Sequence, residues 1–399
     1  MRLRKKNEFN HAAQIMLVWK RQEVCCTTKE RGEEYQEKLY PSLVSKKLEG
    51  SNWVYKYRIP AGLSHSKLMG SLDDIEFSLK SEIIFKMLEN DYRAHFSITI
   101  LAGHLLSFIN YSDEALLTPP RFKPNRSQLW VPIGWSRRGL EWIDLASNNS
   151  PHLLIGGGTG AGKSILGRLI LTCLHIRYTR DDCRLWLADL KHGNGTSLLG
   201  DYPRLVDRKI EGPDQVESMM DELAVEIGRR YRLFKKFKCD DLQAYNEEYP
   251  EDRLPRIVCY VDEVSKLEGK VYQTAREKMT WVTGEARGAG IHVILSCHRP
   301  THDIISGTLK NNIPAVVAFR CNSVSAQVLL GKDDAKAAGA IDKDVEGRAL
   351  LSFKDHVLVQ VPYISNKVVK TIMANYQKTP EHTVEAETIP VMTSTKLLK

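Results

Sequence analysis

Residues 151–170 read PHLLIGGGTGAGKSILGRLI, and this stretch decides the fold of the chain. A short apolar run, His152–Ile155, precedes the glycine-rich segment Gly157–Ser164, and a helical pattern follows from Ile165. Glycines let backbone N–H groups turn towards phosphate oxygens, and the N-terminus of the following helix adds the positive end of its dipole. The order strand, turn and helix therefore predicts the phosphate-binding loop of a nucleoside triphosphatase.

The end of this loop carries the two side chains that phosphate chemistry requires. Lys163 is predicted to reach the β- and γ-phosphates, and Ser164 to bind Mg²⁺. We therefore expect ATP and Mg²⁺ at the site. The residues predicted to bind ATP are Gly157, Gly158, Thr159, Gly160, Ala161, Gly162, Lys163, Ser164 and Ile165.

Two carboxylates follow a second apolar run, Ile257–Val261. Parallel α/β sheets place their chemistry at the carboxyl ends of strands, where Asp262 and Glu263 fall. Asp262 is predicted to bind Mg²⁺ together with Ser164, and Glu263 to act as the general base on the attacking water. The pair indicates hydrolysis rather than nucleotide storage, although a solvated acidic pair is the alternative for such a strand end.

Polar residues also end two neighbouring apolar runs. Asp189 and Lys191 follow Leu185–Ala188, and we interpret them as charged contacts near the nucleotide or a neighbouring subunit, or as an ordinary polar strand end. His298 follows the run Ile291–Leu295. It is a candidate to hydrogen-bond the γ-phosphate, and the alternative is a structural or solvated histidine.

Composition sets broad limits on the chain. The chain has 399 residues, 42% of them hydrophobic, and a net charge of +8, which suits a polyanionic partner but also many ordinary enzymes. Its eight cysteines form no Cys-x-x-Cys pair, so we expect reduced thiols and no zinc site. The sequence has neither a signal peptide nor a run long enough to span a bilayer. We therefore expect a cytoplasmic protein that reaches a membrane only through a partner.

The pattern along the chain predicts five segments. The first is a basic N-terminal arm, which we interpret as solvated in preference to a nucleic-acid contact, and the second is a small α+β module. A proline-rich linker precedes a larger domain in which strand and helix patterns alternate, as in a parallel α/β sheet. A helix and a polar tail end the chain. The predicted bounds are 1–50, 51–118, 119–129, 130–364 and 365–399.

Several motifs of the larger domain occur together in a specific series. The loop and Asp262-Glu263 are accompanied by the segments DLK (189–191), EIGRRY (226–231), RGAGIHVIL (287–295), RP (299–300) and ISGTLKNNIP (305–314). Over roughly Val131 to Val361 this series resembles the FtsK/SpoIIIE family of ring-shaped, DNA-pumping ATPases.

The resemblance implies a RecA-like P-loop NTPase core with a mainly parallel sheet, preceded by a small α+β module. It also implies a homo-hexamer around duplex DNA, with ATP between adjacent subunits and sequence-tolerant contacts to phosphates. An arginine of the neighbouring subunit would stabilise the transferring phosphoryl group. Arg230 and Arg287 are the candidates, and an ion pair or a packed stem is the alternative for each.

The chain differs from the usual pattern of this family at three points. The family usually has glutamine at the position of His298, no membrane anchor precedes the core, and the segment after Tyr363 is too short for a winged-helix domain. We therefore expect a DNA translocase of the branch that transfers mobile elements, with a relaxase or a membrane transfer channel as a partner. The alternatives are a relaxase-linked coupling ATPase on single-stranded DNA, a protein-secretion ATPase and a nucleotide-gated scaffold.

Overall fold

The computed structural model describes residues 11–28, 37–49, 52–79, 81, 83–88, 95–100, 109, 111, 127–191, 204–332, 334–339, 341 and 345–377. The chain divides into two compact units, Met1–His104 and Leu105–Lys399. The first ten residues of the predicted arm, the predicted linker up to residue 126 and the polar tail from residue 378 lie outside the described residues.

The first unit is a small α+β structure. Its sheet of four antiparallel strands has the order β3–β4–β6–β5, and β1 pairs with β2. The elements are α1 (His11–Arg21), β1 (Cys26–Thr28), β2 (Glu37–Leu39), β3 (Ser42–Glu49), β4 (Asn52–Arg58), α2 (His65–Met69), α3 (Leu72–Leu79), β5 (Ile83–Met87) and β6 (His95–Ile100).

The hydrophobic core of this unit contains residues of the predicted arm, 1–50, as well as residues of the predicted module, 51–118. The helix α1 buries Ile15, Val18 and Trp19 in the same hydrophobic cluster as strands β4 and β6. The Trp19 ring packs edge-on against Tyr57, with their centroids 4.9 Å apart, and its Nε1 donates to Ser71 Oγ at 3.2 Å. The interpretation of residues 11–21 as part of a solvated arm is therefore corrected. The apolar face of a short helix was overlooked within a basic sequence.

The second unit contains one large sheet with helices on both faces. Its elements are β7 (Trp130–Ser136), β8 (Gly139–Asp144), β9 (Leu153–Gly156), α4 (Lys163–Arg177), β10 (Cys183–Asp189), β11 (Val206–Ile210), α5 (Val216–Phe237), α6 (Leu242–Glu248), β12 (Arg256–Asp262), α7 (Gln273–Glu285), β13 (Ile291–Cys297), α8 (Gly307–Asn312), β14 (Ala315–Phe319), α9 (Ser323–Leu330), α10 (Ala335–Gly339), β15 (Arg348–Phe353), β16 (Asp355–Gln360) and α11 (Asn366–Gln377). No helix in the described part of the chain is both long enough and apolar enough to span a membrane.

The ten strands have the order β11–β10–β12–β13–β9–β14–β15–β16–β7–β8. The first six are parallel to one another, and the remaining pairs are antiparallel. This confirms the predicted α/β class with a mainly parallel sheet. Because the strands are parallel, the carboxyl ends of β9, β10, β12 and β13 lie along one edge, where such sheets place their ligands.

The central strands β12 and β13 are continuous apolar runs because both of their faces are buried. Every residue of β12 and β13 is buried, as expected for strands covered on both faces. Alternate side chains enter two clusters, because successive residues of a strand point to opposite faces. Leu154 and Val293 belong to the cluster that includes α5 and α7, whereas Leu153 and Ile294 belong to the cluster that includes α4 and α11.

Candidate nucleotide-binding site

The glycine-rich loop lies between β9 and α4 and needs glycine for backbone reasons. Gly157, Gly160 and Gly162 have φ values of 152°, 71° and 120°, which L side chains rarely adopt. A Cβ on Gly157 would also lie 2.5 Å from the Cβ of Phe319. The loop therefore has the left-handed, closely packed backbone that a phosphate cradle requires.

Among the nine residues predicted to bind ATP, Gly157 and Gly158 use their backbone N–H groups for hydrogen bonds within the protein. The N–H of Gly157 donates to the Cys297 carbonyl at 3.2 Å, and that of Gly158 donates to the Arg320 carbonyl at 2.8 Å. These two bonds attach the start of the loop to the neighbouring strands β13 and β14. Gly157 and Gly158 thus position the loop, and the donors nearer the N-terminus of α4 are better placed to meet phosphate oxygens.

Lys163 is the first residue of α4, and its side chain folds back under the loop. Its Nζ donates to the carbonyl oxygens of Gly157 at 2.7 Å and of Gly158 at 2.8 Å. Burial lowers the pKa of Lys163 below its usual value, and the nearby charge of Glu263 opposes that shift. A buried ammonium group held by backbone oxygens is suited to an anionic ligand, which would supply full charge compensation.

Asp262 ends β12, two strands away from the loop, with β13 between them. The residue is 1% exposed, and in the described part of the chain neither carboxylate oxygen has a hydrogen bond of normal geometry. Burial raises the pKa of Asp262, while the Lys191 charge and the nearby Ser296 hydroxyl lower it. A buried carboxylate whose oxygens lack partners fits a hard cation such as Mg²⁺.

Glu263 is held in an unusual backbone conformation. Its φ and ψ are 66° and 56°, a left-handed position that costs a non-glycine residue roughly 1–2 kcal/mol. Its Oε2 forms an ion pair with Lys191 Nζ at 2.8 Å, and its Oε1 accepts the backbone N–H of His298 at 3.0 Å and the Ser265 hydroxyl. The strained turn and these three partners aim the carboxylate along the edge of the sheet.

His298 links the loop to this carboxylate. Its Nε2 contacts the Thr159 hydroxyl, while its own backbone N–H donates to Glu263. Burial lowers the pKa of His298, and the nearby charge of Lys163 lowers it further. The structure thus places the sequence-predicted residues Lys163, Asp262, Glu263 and His298 around one region of the sheet edge.

A cleft of about 500 Å³ opens beside Glu263. Its walls include the basic residues Lys191, Lys266 and Arg299 and one further acid, Glu268, so basic groups outnumber the acids around Glu263. Such a cleft suits the terminal phosphate of a nucleotide and an attacking water.

The two candidate arginines differ sharply in their surroundings. Arg230 is 2% exposed, its Nε pairs with Glu226 at 2.7 Å, and its Nη1 donates to the Ala289 carbonyl at 2.8 Å. A guanidinium group buried in this way cannot reach the nucleotide of another subunit, so the prediction for Arg230 is corrected to a structural ion pair. Arg287 is exposed in the turn before β13 and stays a prediction.

Sequence reasoning missed two basic residues beside the loop. Arg320 and Arg348 line a second cleft of about 110 Å³ together with Thr159, Gly160 and Ala161. Arg320 follows β14 and Arg348 begins β15. Neither arginine belongs to a motif. The pairing of β14 with β9 brings Arg320 to the loop, and the pairing of β15 with β14 brings Arg348 there.

The chain is similar in sequence to a family of known proteins and to several of its members. The model of the FtsK/SpoIIIE family matches residues 114–314. A DNA translocase FtsK of Staphylococcus aureus is 31% identical over 283 residues, covering 65% of this chain and 34% of that protein. A DNA translocase FtsK of Helicobacter pylori is 27% identical over 289 residues, covering 71% and 33%. The chain thus spans about a third of the length of these curated relatives.

Solved structures show the same fold at lower identity. The pCW3 conjugation coupling protein TcpA, in a monomer form with ATPgS, superposes with a TM-score of 0.57 at 20% identity, covering 92% of this chain and 99% of that chain. The cytoplasmic domain of the Thermomonospora curvata type VII secretion ATPase EccC gives a TM-score of 0.55 at 24% identity, covering 65% and 33%.

Proposed function

The chain belongs to the FtsK/SpoIIIE family of P-loop ATPases, and we propose that it couples ATP hydrolysis to the movement of DNA. The observation that carries the proposal is the meeting of three groups at one edge of the sheet. These groups are the buried Lys163 under the glycine loop, the unpartnered carboxylate of Asp262 and the oriented carboxylate of Glu263. Relatives named DNA translocases support the choice of substrate.

In the proposed reaction each residue has one task. The loop and Lys163 would hold the phosphates of ATP, and Ser164 and Asp262 would hold Mg²⁺, which would supply positive charge beside the phosphates. Glu263 orients the attacking water and accepts its proton. His298 contacts both the loop and Glu263, so it is suited to register the presence of the γ-phosphate.

The proposed assembly is a ring of identical subunits, a homo-hexamer, with the motor domain at 130–364. Arg287, which is exposed, is the candidate that a neighbouring subunit would supply to the nucleotide. Lys266 and Lys270 are exposed in the segment that follows Glu263, and Lys266 also lines the cleft at Glu263. This segment is therefore suited to couple DNA phosphates to the state of the nucleotide.

The proposed setting is the transfer of a mobile element, in the cytoplasm, with recruitment to a membrane through a transfer channel or a relaxase. In this setting duplex DNA is the expected substrate. A coupling ATPase on single-stranded DNA differs in the substrate and not in the motor, and a protein-secretion ATPase would not respond to DNA at all.

The hydrolytic site is tested with the variant Glu263→Gln. We expect kcat for ATP to fall by about 10²–10⁴-fold, because the variant keeps the size of the side chain but loses the base. The Kd for a fluorescent ATP analogue should change little. Glu277→Gln is the matched control, since Glu277 is exposed on α7 and contacts Gln273. Equal kcat values in wild type and Glu263→Gln would refute the assigned role.

The substrate is tested by measuring ATPase rates with duplex DNA, single-stranded DNA and no nucleic acid at several salt concentrations. We expect duplex DNA to stimulate turnover most. The apparent affinity should fall with a log–log slope of about −0.9 for each phosphate contact. A hexamer-sized species should form with ATP. Identical rates in the three conditions would exclude a DNA motor.

A further inference from the structure

Lys191 lies just beyond the end of β10, in a turn that is fixed to the strand carrying the catalytic carboxylates. In the register of the sheet Asp189 of β10 is opposite Asp262 of β12. The N–H of Leu190 donates to the Asp262 carbonyl at 3.3 Å, and the N–H of Lys191 donates to Asp189 Oδ1 at 3.0 Å. These bonds attach the turn that carries Lys191 to the end of β12.

The Lys191 side chain completes the set of partners around Glu263. Its Nζ lies 2.8 Å from Oε2, whereas Oε1 is bound by the backbone N–H of His298 and by the hydroxyl of Ser265. Bonds to both oxygens fix the rotation of a carboxylate group about its last bond, which bonds to one oxygen alone would leave broad. Without Lys191, the contacts to His298 and Ser265 would hold the carboxylate through Oε1 alone.

The ionisable groups buried at this edge also indicate that Lys191 acts on Glu263. Asp189, Asp262 and Glu263 are 1%, 1% and 3% exposed, so three carboxyl groups are buried close together. Burial opposes the charge on Lys191, but Asp262 and then Glu263 outweigh burial and raise the pKa of Lys191 above its usual value. Lys191 is thus the basic residue placed among these carboxyl groups, and it pairs directly with Glu263.

We propose that Lys191 is a positioning residue for hydrolysis, which holds the Glu263 carboxylate in the orientation that activates water. The proposal rests on the proposed ATPase function and adds a residue to it. Lys191 acts through Glu263 and not on the nucleotide. Its loss should therefore slow the chemical step and leave nucleotide binding in place.

The test compares Lys191→Met, which keeps the apolar stem, with Lys191→Arg, which keeps the charge. In Lys191→Met we expect kcat to fall at least tenfold, since small misplacements of a catalytic group cost up to about 10²-fold. The Kd for the fluorescent ATP analogue should stay within about threefold of wild type. Lys191→Arg should recover most of the lost rate.

A double-mutant cycle with Glu263→Gln separates a positioning role from other roles. If Lys191 acts through Glu263, adding Lys191→Met to Glu263→Gln should change the residual single-turnover rate by less than twofold. An equal loss in both backgrounds would show direct action on the nucleotide and overturn the proposal. An unchanged kcat in Lys191→Met would overturn it as well.

Two further outcomes are distinguishable. If Lys191→Met does not fold, Lys191→Gln replaces it, and a wild-type kcat in that variant overturns the proposal. If the wild type binds ATP but does not hydrolyse it with any DNA, the proposed function fails, and this inference fails with it. A hydrolysing wild type with an unaffected Lys191 variant refutes the inference alone.

Discussion

The contact between Gly167 and Tyr260 gives a quantitative test of how the phosphate loop is held on the sheet. Gly167 lies in α4, four residues after Lys163, and faces the buried ring of Tyr260 on β12. A Cβ at position 167 would lie 2.1 Å from Tyr260 Oη, 2.8 Å from Cζ and 3.3 Å from Cε2. The substitution Gly167→Ala must therefore move either the helix or the strand that ends in Asp262.

Two opposing effects set the magnitude. Replacing glycine by alanine inside a helix gains about 0.5–1 kcal/mol, because the unfolded chain loses less entropy. Overpacking a well-filled core costs about 1–3 kcal/mol, and two overlaps below 3.0 Å with a fully buried ring put this site at the upper end. We therefore expect a net loss of about 2 kcal/mol in the free energy of unfolding. For the unit Leu105–Lys399 the loss corresponds to a decrease in Tm of about 3–4 °C.

The control comes from another glycine within a helix. At Gly228 in α5 the nearest atom to an added Cβ is the flexible Arg232 Nη1 at 3.4 Å, so Gly228→Ala should raise Tm slightly. Thermal unfolding and the Kd for ATP are measured on both variants. Tyr260→Phe should restore part of the stability of Gly167→Ala. Equal increases in Tm for both alanine variants would refute the reasoning.

Two other predictions concern buried charge. His152 is buried, and burial lowers its pKa from 6.5 to about 4. Between pH 6.5 and pH 4 this histidine is protonated in the unfolded chain but not in the folded chain. The free energy of unfolding should therefore fall by up to about 3 kcal/mol as the pH drops from 6.5 to 4. Urea titrations at several pH values should show a shallower loss in His152→Asn, and an identical pH dependence would count against the buried histidine. Arg230→Met should cost about 1–3 kcal/mol, because the buried Ala289 carbonyl loses its donor while Glu226 keeps its pair with Arg229. Arg287→Ala should leave Tm unchanged, and equal losses in the two variants would contradict the difference in burial.

The central strands and the phosphate loop could be predicted from sequence because their signals are local. The runs 257–261 and 291–295 are apolar at every position, since both faces of the sheet are covered, and they fall within β12 and β13. The loop depends on glycines whose positive φ values are needed at fixed positions. Local spacing is less informative between Leu72 and Ile83, where apolar residues recur at helical intervals although α3 ends at Leu79 and Ile83 begins β5.

The partners of each site residue could not be predicted, because they depend on the order of the strands. Strand β14 lies beside β9 in the sheet, although the two strands are far apart in the sequence. This pairing alone brings Arg320 to the loop. Arg230 matched a family motif, and its motif position gave no indication that the side chain turns inwards to Glu226 and Ala289. The charge of an arginine in a sequence does not reveal whether the residue faces a neighbouring subunit or its own core.

Under the proposed function, the placement of β13 between β9 and β12 would let one edge of the sheet both hold a phosphate and sense it. The loop extends from β9 and Glu263 follows β12, so a residue at the end of β13 is the natural bridge between them. His298 occupies that position, with its ring on Thr159 and its backbone on Glu263. A movement of the loop on binding phosphate would therefore reach Glu263 through one residue. On this reasoning His298→Ala should weaken the dependence of kcat on DNA more than it weakens ATP binding, whereas a loss confined to ATP binding would contradict the bridge.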